Sequence, residues 1–414
     1  MLDIMPDDQS QDDLHAGSSP WGRGRHGPQT RPLTESTKAD VLVVGGGITG
    51  SMVAQHLAAR GLDVVIADRE RPGLGSTAAS TAMLLGEIDR SLEELTAVYG
   101  FERAAAIYRR SLAAMQGLGA LVAGLGIDCI FRNRPTLYIT AEDMSGSALV
   151  EEHRLRQRAD LPGVHLGHAD LLSGFGIDRA AAIYSPGAAE ADPLLMSWGL
   201  LTDAISRGAR LLDANIKTYD HGPSSVVAVT DDGRVVEARH VVLATGYVMP
   251  DFVKNGLHET VSSYAIATVP QADRALWPEH ALIWEASEDY LYCRTTADGR
   301  IVIGGGDDAT TDADQRAAKL AGKTWFLEES LRRLWPKAEP RAACSWSGAF
   351  GTTCDGLPLI GPVPSMPRIL AAYGYGGNGI TFSFMASRML AAYIAGQQQS
   401  WFETFALDRD PPGL

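Results

Sequence analysis

The most constraining part of the chain is a strand–turn–helix–strand unit that begins at residue 40. Residues 40–44 (DVLVV) are a β-branched run that favours a strand buried on both faces. The turn GGGITG occupies residues 45–50, and apolar residues at helical spacing continue from it to a stop at Gly61. A second strand, residues 64–67, ends in Asp68. This order predicts a βαβ unit with a parallel sheet and a right-handed crossover.

The glycines of this turn have separate predicted roles in binding a dinucleotide. Gly45 makes the tight turn, Gly47 lets a pyrophosphate approach the backbone, and Gly50 lets the helix pack closely on the strand. The start of the helix presents free N–H groups and a partial positive charge to the phosphates. Asp68 is placed to accept hydrogen bonds from the adenosine ribose. The fingerprint does not distinguish NAD from FAD.

A second glycine-rich turn, GGNGIT at residues 376–381, also lies between a strand-like run and a helix-like run. Two such helix starts, far apart in sequence, suggest a long cofactor that is held at both ends. A flavin ring needs hydrogen bonds at its pyrimidine edge and a positive field for its reduced form, and bare N–H groups at a helix start supply both. The remaining glycine cluster, IVIGGGDD at residues 301–308, leads into acidic residues instead of a helix. FAD is therefore favoured, and a second nicotinamide domain is not expected.

The predicted fold class is α/β, with a Rossmann-like FAD-binding lobe that is discontinuous in sequence and an inserted α+β substrate lobe. Short aromatic and β-branched runs alternate with turns over residues 258–310, which favours an antiparallel sheet in the inserted lobe. The predicted boundaries are 1–37 for a flexible N-terminal tail, 38–91, 187–257 and 341–400 for the FAD-binding lobe, and 92–186 and 258–340 for the substrate lobe.

Charge and composition exclude some classes of partner and leave others open. The net charge of −14 argues against a nucleic-acid partner, because phosphate neutralisation needs clustered Lys and Arg. The same charge serves solubility or favours a cationic substrate. The four cysteines form no CxxC, no metal site is apparent, and no targeting or membrane-spanning segment is visible, so a cytoplasmic protein is expected.

The co-linear motifs VVGGGITG, GSTAASTA, VVLATG, DGRIVIGGGDD, DGLPLIGPVP and GYGGNGITFS are specific as a set. In this order they resemble the family of FAD-dependent amine and amino-acid oxidoreductases that includes D-amino-acid oxidase, glycine oxidase and sarcosine oxidase. The arrangement looks most like the γ-glutamylputrescine oxidase branch. The resemblance extends from about residue 38 to residue 395, and it implies FAD as cofactor.

The resemblance also implies which residues contact FAD. The first turn and its helix start should hold the pyrophosphate, the GSTAASTA segment should run beside the ribityl chain and ring, and the second turn should hold the pyrimidine end. The implied set is Gly45, Gly47, Ile48, Thr49, Gly50, Asp68, Arg69, Ser76, Thr77, Ser80, Thr81, Ala82, Met83, Ile216, Thr245, Gly246, Gly376, Gly377, Asn378, Gly379, Ile380 and Thr381.

Two departures from the family pattern refine the expectation. Relatives that bind flavin covalently use a Cys or His that has no equivalent here, since Cys354 does not match the usual position, so a non-covalent FAD is predicted. D-amino-acid and glycine oxidases have an Arg about five residues before the DG of the C-terminal motif, where it pairs with the substrate carboxylate. Phe350 stands at that position here, which favours an amine over an α-amino acid.

The implied reaction is oxidation of a C–N bond in a small amine, of the CH–NH or CH–NH2 type. Hydride passes to flavin N5, and the resulting imine hydrolyses to an aldehyde or keto acid. Candidate substrate residues are Tyr292, Arg294, Tyr247 and Tyr375, with Tyr264 as a further tyrosine.

Two alternatives to an amine oxidase remain open from the sequence. One is an amino-acid or N-methyl-amino-acid oxidase or dehydrogenase in which Arg294 binds a carboxylate. The other is a flavoprotein subunit of a multi-chain dehydrogenase or an electron-transfer partner. The final electron acceptor is O2 or a carrier that the sequence does not identify.

Overall fold

The computed structural model describes residues 15–253, 256–287 and 290–411. Its strands are β1 (His15–Gly17), β2 (Arg31–Pro32), β3 (Thr37–Val44), β4 (Val64–Asp68), β5 (Met83–Leu84), β6 (Arg132–Thr140), β7 (Val164–Gly167), β8 (Ala181–Glu190), β9 (Arg210–Asp213), β10 (Ile216–His221), β11 (Val226–Thr230), β12 (Val235–Leu243), β13 (His258–Thr268), β14 (Leu282–Ala286), β15 (Tyr292–Thr295), β16 (Ile301–Asp308), β17 (Ala342–Thr353), β18 (Leu359–Val363) and β19 (Met366–Tyr373).

The α-helices are α1 (Ile48–Ala58), α2 (Ser76–Ala79), α3 (Leu92–Tyr99), α4 (Phe101–Leu125), α5 (Val150–Arg158), α6 (His168–Phe175), α7 (Pro193–Ser206), α8 (Ala313–Leu334) and α9 (Gly379–Ile394). Short 3-10 turns lie at Gly146–Leu149, Asp273–Ala275, Pro278–His280, Gly376–Asn378 and Ser400–Phe405. No helix of these described residues is long and apolar enough to cross a membrane.

The first sheet is built around the predicted βαβ unit. Its order is β10-β11-β12-β3-β4-β9-β2, with β19 beside β12 and β18 beside β19. The strands β12, β3, β4, β9 and β2 are parallel, and β19 pairs parallel with β12. In β3, Val41 and Val43 pack into one apolar core while Leu42 and Val44 pack into another, so both faces of the strand are buried as the apolar run predicted.

The larger apolar core lies between this sheet and a layer of helices that includes α1, α4, α7 and α9. Periodicity predicted one helical stretch over residues 92–125, and the structure divides it at Gly100, whose φ is +76°. The helix α4 packs against α9 and against the core of the first sheet. Residues of α3 and α4, which the sequence prediction placed in the substrate lobe, thus complete the apolar core beside the first sheet.

The second sheet has the order β1-β17-β13-β16-β15-β14-β6-β8-β5, with β7 also beside β8. Its pairs are antiparallel except for β6 and β14, which run parallel. The antiparallel sheet expected over residues 258–310 is present as β13 to β16. β17 pairs with β13 along its length, so residues 342–353 belong to this sheet and not to the FAD-binding lobe in which the sequence prediction placed them.

The N-terminal segment differs most from its prediction. A flexible tail was expected over residues 1–37, yet β1 pairs with β17 and β2 pairs with β9. Trp21 packs edge-on against Trp346, with ring centroids 6.4 Å apart. The described part of the tail thus adds a strand to each sheet, and residues 1–14 lie outside the described residues.

Candidate active site

A single cleft of about 340 Å³ runs from the C-terminal ends of β3, β4 and β12 to the second sheet. One end is bounded by the turn at Gly45 and by Asp68, and the other by Gly376 and by tyrosines of the second sheet. This is the edge at which parallel α/β sheets bind their ligands.

The first glycine turn owes its shape to close backbone contacts. Gly45 has a φ of +104°, and a Cβ there would lie 2.3 Å from the carbonyl oxygen of Ala244. A Cβ at Gly50 would lie 1.8 Å from the carbonyl oxygen of Gly45. No side chain of Gly47 can cap α1, and the N–H of Ile48 donates instead to Oγ1 of Thr77 at 2.9 Å. Only glycine allows this approach of helix and strand, as the fingerprint predicted.

Asp68 is held at the same end by backbone donors. Its Oδ2 accepts from the N–H of Gly46 at 2.6 Å, and its Oδ1 accepts from the N–H of Glu70 at 3.0 Å. Burial raises the pKa of the Asp68 carboxyl above its ordinary value, against the lowering effect of these two hydrogen bonds. The side chain lines the cleft beyond β4.

The second glycine turn is built around a carboxylate. Gly376 has a φ of +59°, and a Cβ there would lie 2.4 Å from Oδ2 of Asp89. The N–H of Gly377 donates to the same oxygen at 2.6 Å. The side chains of Asn378 and Thr381 donate to the carbonyl oxygens of Glu87 and Leu85 respectively, which ties the turn to the segment before Asp89.

The two glycine turns are also joined directly. Oγ1 of Thr49, in the first turn of α1, lies 2.7 Å from Oγ of Ser383 in the first turn of α9. The two helices pack on each other. Their N-terminal ends therefore face the same cleft.

The substrate-lobe end of the cleft is rich in tyrosine and acid. Tyr247, Tyr290, Tyr292 and Asp89 line it together with Asp307. Burial raises the pKa of Tyr247 to about 12 and raises the pKa of Tyr290 and of Tyr292 further still, so these phenols stay neutral at ordinary pH. Burial and the charge of Asp307 raise the pKa of Asp89 to about 6, against the hydrogen bond from Gly377.

Most of the residues predicted from the sequence line this one cleft. Tyr247, Tyr264, Tyr292 and Tyr375 do so among the candidate substrate residues. The predicted cofactor residues that line it are Gly45, Gly47, Ile48, Thr49, Asp68, Arg69, Ser76, Thr77, Ser80, Thr81, Ala82, Met83, Ile216, Thr245, Gly246, Gly376, Gly377, Asn378, Gly379 and Ile380. Gly50 and Thr381 lie behind the lining, where they fix the two turns.

Arg294 is the exception among the predicted substrate residues. It lies outside the cleft lining and is 2% exposed. Its guanidinium donates to the carbonyl oxygens of Thr81 and Ala191 and pairs with Glu190 at 3.4 Å. The structure therefore does not bring Arg294 into the cleft with the predicted tyrosines, because its guanidinium is bound by Glu190 and two backbone carbonyls.

Sequence reasoning missed Asp89, Tyr290, Trp284 and Asp307, all of which line the cleft. Asp89 follows an apolar run in the segment LLGEIDR, and an acid after such a run has no motif that signals a site. Tyr290 and Trp284 lie in aromatic strand segments where packing was the ordinary interpretation. Only the pairing of β14, β15 and β16 brings Trp284, Tyr292 and Asp307 to the same end of the sheet.

Comparison with known proteins agrees with this architecture. The family model described as "DAO: FAD dependent oxidoreductase" matches residues 40–393. The chain is 25% identical to gamma-glutamylputrescine oxidoreductase of Escherichia coli (strain K12) over 383 residues, which cover 90% of this chain and 87% of that protein. It is 25% identical to glycine oxidase of Bacillus licheniformis over 390 residues, 89% of this chain and 97% of that protein.

Among solved structures, glycine oxidase from Geobacillus kaustophilus superposes with a TM-score of 0.76 at 22% identity, over 90% of this chain and 99% of that one. At this identity the likeness establishes the fold. The family match spans most of the chain and both sheets. The chain belongs to the DAO family of FAD-dependent oxidoreductases.

Proposed function

We propose that FAD lies along the cleft, with its adenosine at Asp68 and its flavin ring beside the Gly376–Asn378 turn. Two observations support the fit. Gly45, Gly47, Gly376 and Gly377 line the cleft without side chains, so a cofactor can approach their backbone directly. Oγ of Ser76 is buried in the cleft wall without a hydrogen-bond partner among the described residues, which suits a polar group of the cofactor.

The cofactor is expected to be non-covalent. No His or Cys belongs to the cleft lining in the described part of the chain, and the exposed Cys354 is not part of it. When bound, FAD supplies the acceptor for the two electrons and the hydrogen removed from a carbon next to nitrogen.

We further propose that the substrate is a small amine that binds as a cation and carries no α-carboxylate. The observation that carries this proposal is the charge of the substrate-lobe end. Asp89 and Asp307 are the charged side chains that line it among the described residues, whereas Arg69 and Arg71 line the adenosine end beside Asp68. An ammonium group gains from two nearby carboxylates, and a substrate carboxylate would be repelled by them.

Four residues of this chain have assigned roles in that proposal. Asp89 binds the ammonium and accepts its proton at the carboxylate, because its pKa near 6 leaves it ionised at neutral pH. Tyr290 and Tyr292, whose rings lie 5.6 Å apart, pack around the substrate and exclude water. Phe350 lines the cleft where relatives have an Arg, and it supplies an apolar surface there. These residues orient the amine, accept its proton and exclude water from it.

The test is anaerobic reduction of the purified flavoprotein by matched substrates. Butylamine and norvaline differ by one α-carboxylate, and they separate an amine site from an amino-acid site. We expect bleaching of the flavin absorbance with alkylamines and diamines at rates at least tenfold above those with the corresponding amino acids. Faster bleaching by norvaline than by butylamine would contradict the proposal. A protein that retains no flavin would contradict the placement of FAD itself.

A further inference from the structure

The backbone of the loop of residues 79–82 accepts hydrogen bonds from side chains of three distant segments. The carbonyl oxygen of Ala79 accepts from Nε1 of Trp346 at 2.8 Å, and that of Ser80 accepts from Nε1 of Trp21 at 2.7 Å. The carbonyl oxygen of Thr81 accepts from Nε of Arg294 at 2.7 Å. Three consecutive carbonyls thus receive donors that lie far away in the sequence.

Trp21 also contacts each of the other two donors. The rings of Trp21 and Trp346 meet edge-on at 76°, and the guanidinium carbon of Arg294 lies 4.8 Å from the centre of the Trp21 ring. Trp346 is 1% exposed and Arg294 is 2% exposed. The pair of Arg294 with Glu190 fixes the guanidinium in turn. A change at Trp21 therefore affects the packing of both other donors.

The loop has a conformation that needs such support. Ala82 has a φ of +51°, which L-residues with a side chain rarely adopt, and its N–H donates to Oγ of Ser80 at 3.1 Å. The next residue, Met83, starts β5. Ala79, Ser80, Thr81, Ala82 and Met83 all line the cleft. The loop is thus irregular in its backbone, tied by three distant donors, and part of the cleft lining; Trp346 lines the cleft beside it.

Trp21 is itself fixed by the N-terminal segment around it. β1 pairs with β17, the strand that carries Trp346. The N–H of Gly22 donates to Oδ2 of Asp192 at 2.8 Å, while Oδ1 of Asp192 caps α7. The segment of residues 15–25 therefore has defined anchors on both sides of Trp21.

We propose that Trp21, Arg294 and Trp346 form a clamp that fixes the loop of residues 79–82 in its cofactor-binding shape before FAD enters. The N-terminal segment then supports the cofactor site, although it contains no nucleotide-binding motif. A loop ordered in advance loses less conformational entropy on binding, so the clamp raises the affinity for FAD. The inference rests on the proposed placement of FAD in the cleft and is independent of the amine substrate.

The test uses Trp→Phe substitutions, which remove the indole N–H and keep an aromatic ring. The variants are Trp21→Phe, Trp346→Phe and the double variant. The matched control is Trp335→Phe, because Nε1 of Trp335 also donates to a backbone carbonyl, that of Ala275 at 2.6 Å, and the residue is buried away from the cleft. For each protein the dissociation constant of FAD is measured on the apo form, together with amide hydrogen exchange of residues 76–84 without FAD and the unfolding midpoint.

We expect the dissociation constant to rise about fivefold for Trp21→Phe, as the loss of one hydrogen bond gives, and more than tenfold for the double variant. Amide exchange in residues 76–84 of the apo protein should quicken in the same order. Trp335→Phe should lower the unfolding midpoint without changing either quantity.

An unchanged dissociation constant in the double variant would overturn the clamp, and so would an unchanged exchange rate in the loop. An equal loss of affinity in Trp335→Phe would also overturn it, because affinity would then only follow global stability. If the wild-type chain itself takes up no FAD, the placement of the cofactor fails and the clamp with it.

Discussion

The two ends of the cleft are built by different means. At the end bounded by Gly45 and Asp68, here called the cofactor end, the cleft lining includes the backbone of a turn set by Gly45, whose φ is positive. At the opposite end, beside the Gly376 turn, it includes the side chains of Asp89, Tyr290 and Tyr292. The first end uses local sequence to set a turn, whereas the second uses strands that meet only in the folded sheet.

The difference determines how each end tolerates change. A turn of glycines that lines a binding site is disrupted when any of these glycines gains a side chain. The new Cβ clashes with the main chain, and no change of rotamer relieves that clash. A side-chain site loses one interaction at a time, and a conservative substitution leaves the rest in place. We therefore expect all-or-none effects at the cofactor end and graded effects on substrate preference at the other end.

The largest effect is expected from Gly50→Ala. The added Cβ would lie 1.8 Å from the carbonyl oxygen of Gly45, so α1 must move away from β3. We expect loss of bound FAD and destabilisation by about 3 kcal/mol or more, measured from flavin content and the unfolding free energy. Gly124→Ala in α4 is the control, because a Cβ there meets nothing within 4 Å. If Gly50→Ala retained its full flavin content, the close contact of Gly50 with the Gly45 backbone would not be required for FAD binding.

The next effect is expected from Asp89→Asn. The amide oxygen can still accept from the N–H of Gly377, so FAD binding should change little, while the negative charge for the ammonium is lost. We expect kcat/KM for an alkylamine to fall about 10- to 100-fold, as for a hydrogen bond to a charged group. Asp170→Asn, on the exposed side of α6, is the control.

The pH dependence gives a second test of Asp89. Because its pKa is raised to about 6, the carboxyl is neutral below that pH and charged above it. Wild-type kcat/KM for an amine should therefore increase as the pH rises through about 6, and this limb should be absent in Asp89→Asn. A limb that persists in the variant would assign the titration to another group.

A smaller change should follow from Phe350→Arg, which adds a cation at the position where the family pattern implies an Arg in glycine and D-amino-acid oxidases. Phe350 lies in β17 and lines the cleft. We expect the ratio of kcat/KM for norvaline over butylamine to rise about tenfold, since a charge-assisted hydrogen bond to the carboxylate becomes available. Phe350→Leu should leave the ratio unchanged. An unaltered ratio in Phe350→Arg would place the substrate elsewhere in the cleft.

The smallest effect is expected from Tyr290→Phe, which removes a neutral hydroxyl at the edge of the glycine turn. The loss of the hydrogen bond that this hydroxyl would form with the substrate should raise KM about three- to fivefold, with kcat nearly unchanged. Burial keeps the phenol protonated, so the variant should keep the wild-type pH profile. A fall in kcat of a hundredfold would instead show that the phenol takes part in proton transfer.

The difference between a turn set by local sequence and a site assembled from distant strands also explains what could be predicted from the sequence. The βαβ unit and both glycine turns were expected, because strand, turn and helix signals lie within a few residues of each other. The family motifs then supplied the fold and FAD. Asp89 and Asp307 could not be found in this way, since only the folded arrangement brings their charges within reach of Tyr290 and Tyr292.

The segments that the structure places differently from the sequence prediction share one physical cause, which is a partner far away in the sequence. The residues of β1 were assigned to a flexible tail because a polar, glycine-rich segment carries no periodicity, yet an edge of β17 was available for pairing. Arg294 was predicted to bind a carboxylate of the substrate, and its partner Glu190 is 104 residues away in the sequence. Long-range partners decide the role of a buried charge, and local sequence does not report them.

The contact between Thr49 and Ser383 has a consequence for biosynthesis. The two hydroxyls are 334 residues apart, and the helix that carries Ser383 follows every strand of both sheets in the chain. A chain emerging from the ribosome displays its first glycine turn early, but the second glycine turn and the helix that packs on α1 emerge only after both sheets have been synthesised. Until α9 has been made, the face of α1 that packs on it lacks this partner, and the cleft lacks the turn that bounds one of its ends.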